Sequence, residues 1–155
     1  MRIALYQPDI PQNTGTILRL GACLGISIEI IGPTGFDMSD RSMRRAGLDY
    51  LDLVSLQRHL SFETFDVWRR ELGLRLVLLT TRATTSHLDH QFEPSDILML
   101  GRESVGVPES IHAAVDTRIR IPMRTGLRSL NIAVSAAIGL GEALRQTNGY
   151  PRHGT

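Results

Sequence analysis

Three stretches of this chain gather side chains able to bind or orient a ligand. The first is Gln7-Pro8-Asp9-Ile10-Pro11-Gln12-Asn13-Thr14-Gly15-Thr16, with Arg19 shortly after it. Two prolines stiffen this stretch, and Gly15 permits close backbone approach. A helix capped by Asn13 or Thr14 would turn free N–H groups towards an anion, and Arg19 adds a fixed positive charge. Together they could hold a phosphate. The second, Leu100-Gly101-Arg102-Glu103-Ser104-Val105-Gly106-Val107-Pro108, sets a carboxylate between two glycines. Glu103 could accept hydrogen bonds from a ligand or orient Arg19 or Arg102. The third, Ile121-Pro122-Met123-Arg124-Thr125-Gly126-Leu127-Arg128-Ser129-Leu130-Asn131, is a long polar stretch entering an apolar helix. Ser129 or Asn131 could cap that helix or bind a ligand. Each stretch also has a plainer reading: a capped helix with a surface arginine, a strand-to-helix turn with a solvated Glu, and a helix cap.

Further along, Arg41, Arg44 and Arg45 stand at i, i+3 and i+4 and share one helix face. That face is either simply solvated or a contact for nucleic-acid phosphates. All 17 basic residues are arginine, so any phosphate contact must use a planar, bidentate guanidinium. The net charge of +1 does not by itself announce a nucleic-acid binder.

Other chemistries find little support. Cys23 is the only cysteine; it cannot make an internal disulfide or a Cys-rich zinc site. Its apolar helical surroundings predict a buried, inert thiol. His87 and His90 stand three apart without further ligand spacing, so no metal is expected. There is no Walker loop, and no G-x-G-x-x-G follows the first strand, which argues against a Rossmann-type enzyme. The longest apolar runs, such as Leu76–Leu79, are too short to cross a bilayer. No apolar signal region opens the chain, and a cytoplasmic protein is expected.

The elements that must position these stretches follow from periodicity. Strands are predicted at Arg2–Tyr6, Ser27–Ile31, Leu51–Ser55, Arg75–Thr80, Asp96–Leu100 and Arg118–Ile121. Helices are predicted from Asn13 or Thr14 to Leu24, over Ser39–Gly47 and Ser61–Leu72, from Pro108 to Val115, and from Leu130 to Thr147. Gly25 should end the first of these. Ile132, Ala136, Leu140 and Ala143 make the apolar stripe of the last. Alternation of strand and helix predicts one α/β domain over residues 1–155, with a mostly parallel sheet and helices on both faces. In such sheets ligands bind at loops leaving the carboxyl ends of strands, and all three stretches stand there. The residues alone lead to an α/β domain with a polar site built from three loops.

Taken together, the motifs resemble those of the SPOUT methyltransferases, most closely the small single-domain type that methylates the wobble ribose of tRNA (the TrmL type). The resemblance rests on Pro8-x-Ile10-Pro11-x-Asn13-Thr14-Gly15 with Arg19, on Arg44-Arg45-Ala46-Gly47-Leu48-Asp49-Tyr50, on Gly101-x-Glu103-x-x-Gly106-x-Pro108, and on Ile121-Pro122-Met123 with Arg128-Ser129-Leu130-Asn131. Thr16, Leu100 and Asn131-Ile132-Ala133 depart mildly from the commoner pattern.

The resemblance implies a C-terminal trefoil-type α/β-knot and a homodimer. It implies methyl transfer from S-adenosylmethionine, leaving S-adenosylhomocysteine, to the 2'-hydroxyl of cytidine or uridine 34 of a tRNA, with leucine isoacceptors as substrates. By position, Leu79, Thr80, Gly101, Glu103, Ile121, Met123, Ser129 and Leu130 would line the cofactor pocket. Arg19, Asn13, Glu103 and Asn131 would form the catalytic wall. Arg41, Arg44, Arg45 and Arg128 would contact tRNA. Alternatives left open are a non-catalytic tRNA-binding module on the same scaffold, a 2'-O-methyltransferase acting elsewhere on tRNA or rRNA, and an α/β enzyme for a small phosphorylated ligand.

Overall fold

The computed structural model describes residues 1–45 and 50–152. Six strands form one sheet: β1 (Arg2–Tyr6), β2 (Ser27–Ile31), β3 (Leu56–His59), β4 (Arg75–Leu79), β5 (Asp96–Leu100) and β6 (Thr117–Ile119). Their spatial order is β3-β2-β1-β5-β4-β6, and every pairing is parallel. The helices between them are α1 (Pro11–Leu24), α2 (Asp40–Arg45), α3 (Phe62–Glu71), α4 (Glu109–Ala114) and α5 (Ile132–Thr147).

Central strands are apolar on both faces, as burial from two sides demands. Ile3, Leu5, Leu98 and Leu100 pack with Ile17 and Leu18 of α1, Met43 of α2 and Ala136 and Leu140 of α5. Ala4, Tyr6, Ile97 and Met99 point the other way, onto Phe65 of α3 and Ile111 of α4. The expected two-faced α/β sheet is therefore present.

Several boundaries differ from the sequence expectation. Leu51–Ser55 is not a strand: Leu53 is exposed in a turn closed by its N–H to Tyr50 O at 3.0 Å. The third strand is the more polar Leu56–His59, which escapes an apolar pattern because it lies at the sheet edge and pairs only with β2. The first helix starts at Pro11, with Ile10 rather than Asn13 or Thr14 in the cap position. Proline suits a first helical turn, whose N–H groups have no intrahelical partner. Asn13 is thereby freed from capping. Pro108 itself is the α4 cap, and Asn131 rather than Leu130 marks the start of α5. The final strand is Thr117–Ile119 rather than Arg118–Ile121. Gly25 ends α1 as expected, at φ 67°. Cys23 is exposed, not buried; it lies on the side of α1 turned away from Ile17 and Leu18. The predicted Ser39–Gly47 helix is present as Asp40–Arg45, and its last two positions, with Leu48 and Asp49 of the basic motif, lie outside the described residues.

Candidate active site

The carboxyl ends of β1, β4, β5 and β6 open onto one cleft of about 440 Å³, within the range of roughly 300–1,000 Å³ usual for small-molecule sites. Thr80 and Thr81 beyond β4, Gly101 and Glu103 beyond β5, and Ile121 and Met123 beyond β6 line it. Asn13 of α1 and Ser129, Leu130 and Asn131 ahead of α5 close the remaining side.

The Gly101–Pro108 loop owes its shape to two glycines. Arg102 N–H donates to Gly106 O at 3.1 Å, and Gly106 N–H returns to Arg102 O at 2.9 Å. Gly106 sits at φ 69°, a left-handed conformation that favours glycine. A Cβ on Gly101 would lie 2.8 Å from the Gly106 carbonyl carbon. The tight turn presents Glu103 to the start of α1.

There Glu103 Oε2 accepts from Asp9 N–H at 3.1 Å, and Oε1 accepts a long bond from Asn13 Nδ2 at 3.5 Å. Asn13 Oδ1 accepts from Asn131 Nδ2 at 3.0 Å. Asn131 Oδ1 accepts the N–H groups of Ala133 and Val134 at 2.8 and 3.3 Å, capping α5. The cap fixes the sense of the whole chain. An oxygen committed to two N–H groups leaves the Asn131 amide nitrogen for Asn13, whose own nitrogen is then left for the carboxylate. Three loops distant in sequence are joined by three side chains.

A second carboxylate backs this chain. Ser104 Oγ donates to Asp9 Oδ2, and the Arg102 guanidinium stands 3.5 Å from the same oxygen. Hydrogen bonding with Glu103 and Ser104, with Arg102 nearby, holds the Asp9 carboxyl down at about 2. Burial, then contact with Asp9, pushes Glu103 above the usual carboxylate range. The two acids thus have separated tendencies: Asp9 stays charged and Glu103 is the better proton acceptor.

The other predicted site residues lie elsewhere. Arg19 does not line the cleft; its exposed guanidinium stacks over Tyr50, 4.8 Å from the ring centroid. Six residues of helix separate it from Asn13, so the two side chains leave α1 in different directions. Arg44 is bonded to both oxygens of Asp52, at 2.8 and 3.0 Å. Arg41, Arg45 and Arg128 are exposed and outside the cleft. Sequence reasoning missed Ile10, Thr81, Val107 and Ser135, all of which line the cleft. Ser135 carried a usable signal, one helical turn beyond Asn131 on the same face. Asp9 was legible too, as the lone charge between two prolines. Among the described residues, no group of three or more His, Cys, Asp and Glu side chains is placed to hold a metal.

An open parallel sheet with a mixed polar and apolar cleft at its carboxyl edge is the architecture of a nucleotide-type ligand site. Solved structures specify it. One, described as giving insight into 2-OH methylation of the cytidine or uridine at position 34 of tRNA, superposes with a TM-score of 0.87 at 40% identity, covering 96% of each chain. The SpoU methyltransferase AviRb from Streptomyces viridochromogenes, solved with the cofactor AdoMet, matches at a TM-score of 0.83 and 27% identity over 94% of this chain and 57% of its own. The fold is that of the SpoU-type RNA methyltransferases. The chain belongs to the SpoU rRNA methylase family, whose model matches residues 1–141. Among curated relatives, a tRNA (cytidine(34)-2'-O)-methyltransferase from Beijerinckia indica is 61% identical over 93% of this chain and 90% of its own. The enzyme of that name from Escherichia coli is 41% identical over 97% of this chain and 96% of its own.

Proposed function

We propose that this protein transfers a methyl group from S-adenosylmethionine to the 2'-hydroxyl of the wobble nucleotide, cytidine or uridine 34, of tRNA. The observation carrying this reading is the side-chain chain Glu103–Asn13–Asn131, which ties three loops into one cleft. Relatives of that activity, similar over nearly their whole length, point to the same substrate.

The cleft suits the cofactor. Gly101 leaves open backbone against Gly106, where a Cβ would intrude, and Leu79, Thr80, Ile121, Met123, Ser129 and Leu130 offer apolar walls with scattered polar groups. The bound cofactor would supply an electrophilic sulfonium methyl. The residues of this chain do the rest by placement, since orienting two reactants is worth effective molarities of roughly 10⁵ M or more. Asn13 and Asn131 hold the two helix starts at a fixed separation. Glu103 stands ready to accept hydrogen bonds or a proton at the cleft wall. Arg19 serves as a positive clamp for the RNA phosphate and the developing oxyanion; a guanidinium, with a pKa above about 12, does not act as the base. For this role Arg19 must leave its stacking on Tyr50 and turn towards the cleft when RNA binds.

The same proposal includes a cytoplasmic homodimer and the C-terminal trefoil knot. Supporting the dimer, Val134 and Ile138 stand exposed one turn apart on α5, with Leu127 and Leu130 near by. Supporting the knot, β6 lies at the sheet edge whereas α5 packs on α1 and central β5, so residues 120–131 must return across the sheet end. Leucine tRNAs are the proposed isoacceptors.

Calorimetry with S-adenosylmethionine tests the pocket: absence of binding removes the enzyme reading. Mass spectrometry of tRNA from a deletion strain tests the product. Persistence of the wobble 2'-O-methyl group would redirect the substrate to another RNA position.

A further inference from the structure

We propose that the sheet edge at β6, with Arg118 on the strand and Arg120 just beyond it, together with Arg124 and Arg128 of the following loop, is a phosphate track that receives the tRNA backbone beside the cleft. This rests on the tRNA reading above and assigns that substrate a docking surface.

Strand alternation places Arg118 and Arg120 on one face, with Ile119 between them fully buried against the α1–α5 side. Two strand residues span roughly 7 Å, the scale of successive phosphates on one strand. The track leads to the site directly. Ile121 and Met123, one and three residues beyond Arg120, line the cleft, as does Ser129, next to Arg128. Arg118, Arg120, Arg124 and Arg128 are all exposed, and the last three are chain neighbours of residues that line the cleft.

Their lack of partners is the telling feature. Several other surface arginines are paired, Arg82 with Glu109, Arg145 with Glu142 and Arg75 with Asp96. Among the described residues, no carboxylate lies within ion-pair distance of Arg118, Arg120, Arg124 or Arg128. Glu109, which feels the Arg118 charge, is held by Arg82 at 2.7 Å. The pKa of His112 on α4 is lowered, first by burial and then by the Arg82 charge.

Edge protection is the plain alternative, because charged side chains on an outer strand discourage strand pairing. It does not account for Arg120. Its N–H already donates to Thr85 O at 2.9 Å, and its carbonyl accepts from His87 N–H at 2.8 Å. That part of the edge is closed by backbone. Nor does it account for Arg124 and Arg128, which lie on no strand. Unpaired guanidiniums in a row leading to a ligand cleft are what a polyanion requires.

The test uses the full chain and unmodified tRNA transcript. The double variant Arg118→Gln, Arg120→Gln is compared with wild type and with Arg70→Gln, an exposed arginine of α3 paired with Asp66. Affinity for tRNA is measured from 50 to 200 mM salt. Each phosphate contact contributes about 0.7–0.9 to the slope of log K against log salt, so losing two lowers the slope by about 1.5. Over that fourfold salt range the variant should lose roughly tenfold less affinity than wild type. KM for tRNA should rise while kcat and S-adenosylmethionine affinity stay unchanged, and Arg70→Gln should behave as wild type. An active double variant with wild-type slope and KM overturns the track and leaves the methyltransferase reading intact. A wild-type protein that transfers no methyl group, yet shows the slope loss in the variant, removes that reading and supports the track.

Discussion

Asn131 performs two tasks with one side chain, and two substitutions separate them. Its Oδ1 accepts the Ala133 and Val134 N–H groups at the start of α5, while its Nδ2 donates to Asn13. Asn131→Ala removes both. Loss of an N-cap costs about 1 kcal/mol, up to about 2, and a domain of this size shifts by about 2–4 °C per kcal/mol. A fall in Tm of about 2–8 °C is expected. Asn131→Asp keeps the accepting oxygens and adds a negative charge at a helix N-terminus, favourable by about 0.3–1 kcal/mol. The cap is kept, so its Tm should stay above that of Asn131→Ala. The aspartate cannot donate to Asn13, however. Asn13 would turn its amide nitrogen to the new carboxylate and present its oxygen to Glu103, where acceptor meets acceptor. A hydrogen bond to a charged group is worth about 1.5–3 kcal/mol, so methyl transfer should fall by about tenfold or more in a variant that keeps its helix cap. Scanning calorimetry and a single-turnover methylation assay read the two effects apart. If Asn131→Asp were as unstable as Asn131→Ala, the cap assignment would be wrong. If it were fully active, the chain to Glu103 would have no part in the reaction.

Three further substitutions have outcomes set by the geometry. Gly101→Ala places a Cβ 2.8 Å from the Gly106 carbonyl carbon, so the loop must shift; calorimetry should show S-adenosylmethionine affinity reduced by at least about tenfold (~1.4 kcal/mol), and unchanged affinity would mean the cofactor avoids this loop. Asp9→Asn removes the charge that helps keep Glu103 raised, so the acid limb of the pH–rate profile should move to lower pH; a stationary limb would exclude Glu103 as the titrating group. The Asp9 carboxyl, folded at about 2 against an ordinary 3.8, contributes stability present above 3.8 and lost as pH falls through about 2. Acid-unfolding curves of Asp9→Asn should therefore be flatter in that window. Finally, Arg19→Lys replaces a planar fork stacked on Tyr50 by a point charge; turnover should fall by about tenfold with little change in melting, and near-normal turnover would refute the forked clamp.

The sequence by itself determined the sheet, the helix faces and most of the cleft. Continuous apolar runs such as Ile97–Leu100 can only be strands covered on two sides. Pro11, Gly25, Gly101 and Gly106 punctuate the chain through backbone properties that any window of residues reveals. The edge strand Leu56–His59 was not legible, because a strand with one neighbour needs no apolar run. What only the tertiary structure decided was who touches whom. Asn13 meets Glu103 across 90 residues and Asn131 across 118, and Arg19 turns to Tyr50 instead of joining them. Residue types and local spacing fix dihedral preference and burial period. Which polar groups share a proton or a bond depends on how the sheet order β3-β2-β1-β5-β4-β6 stacks distant loop ends, and no local pattern carries that order.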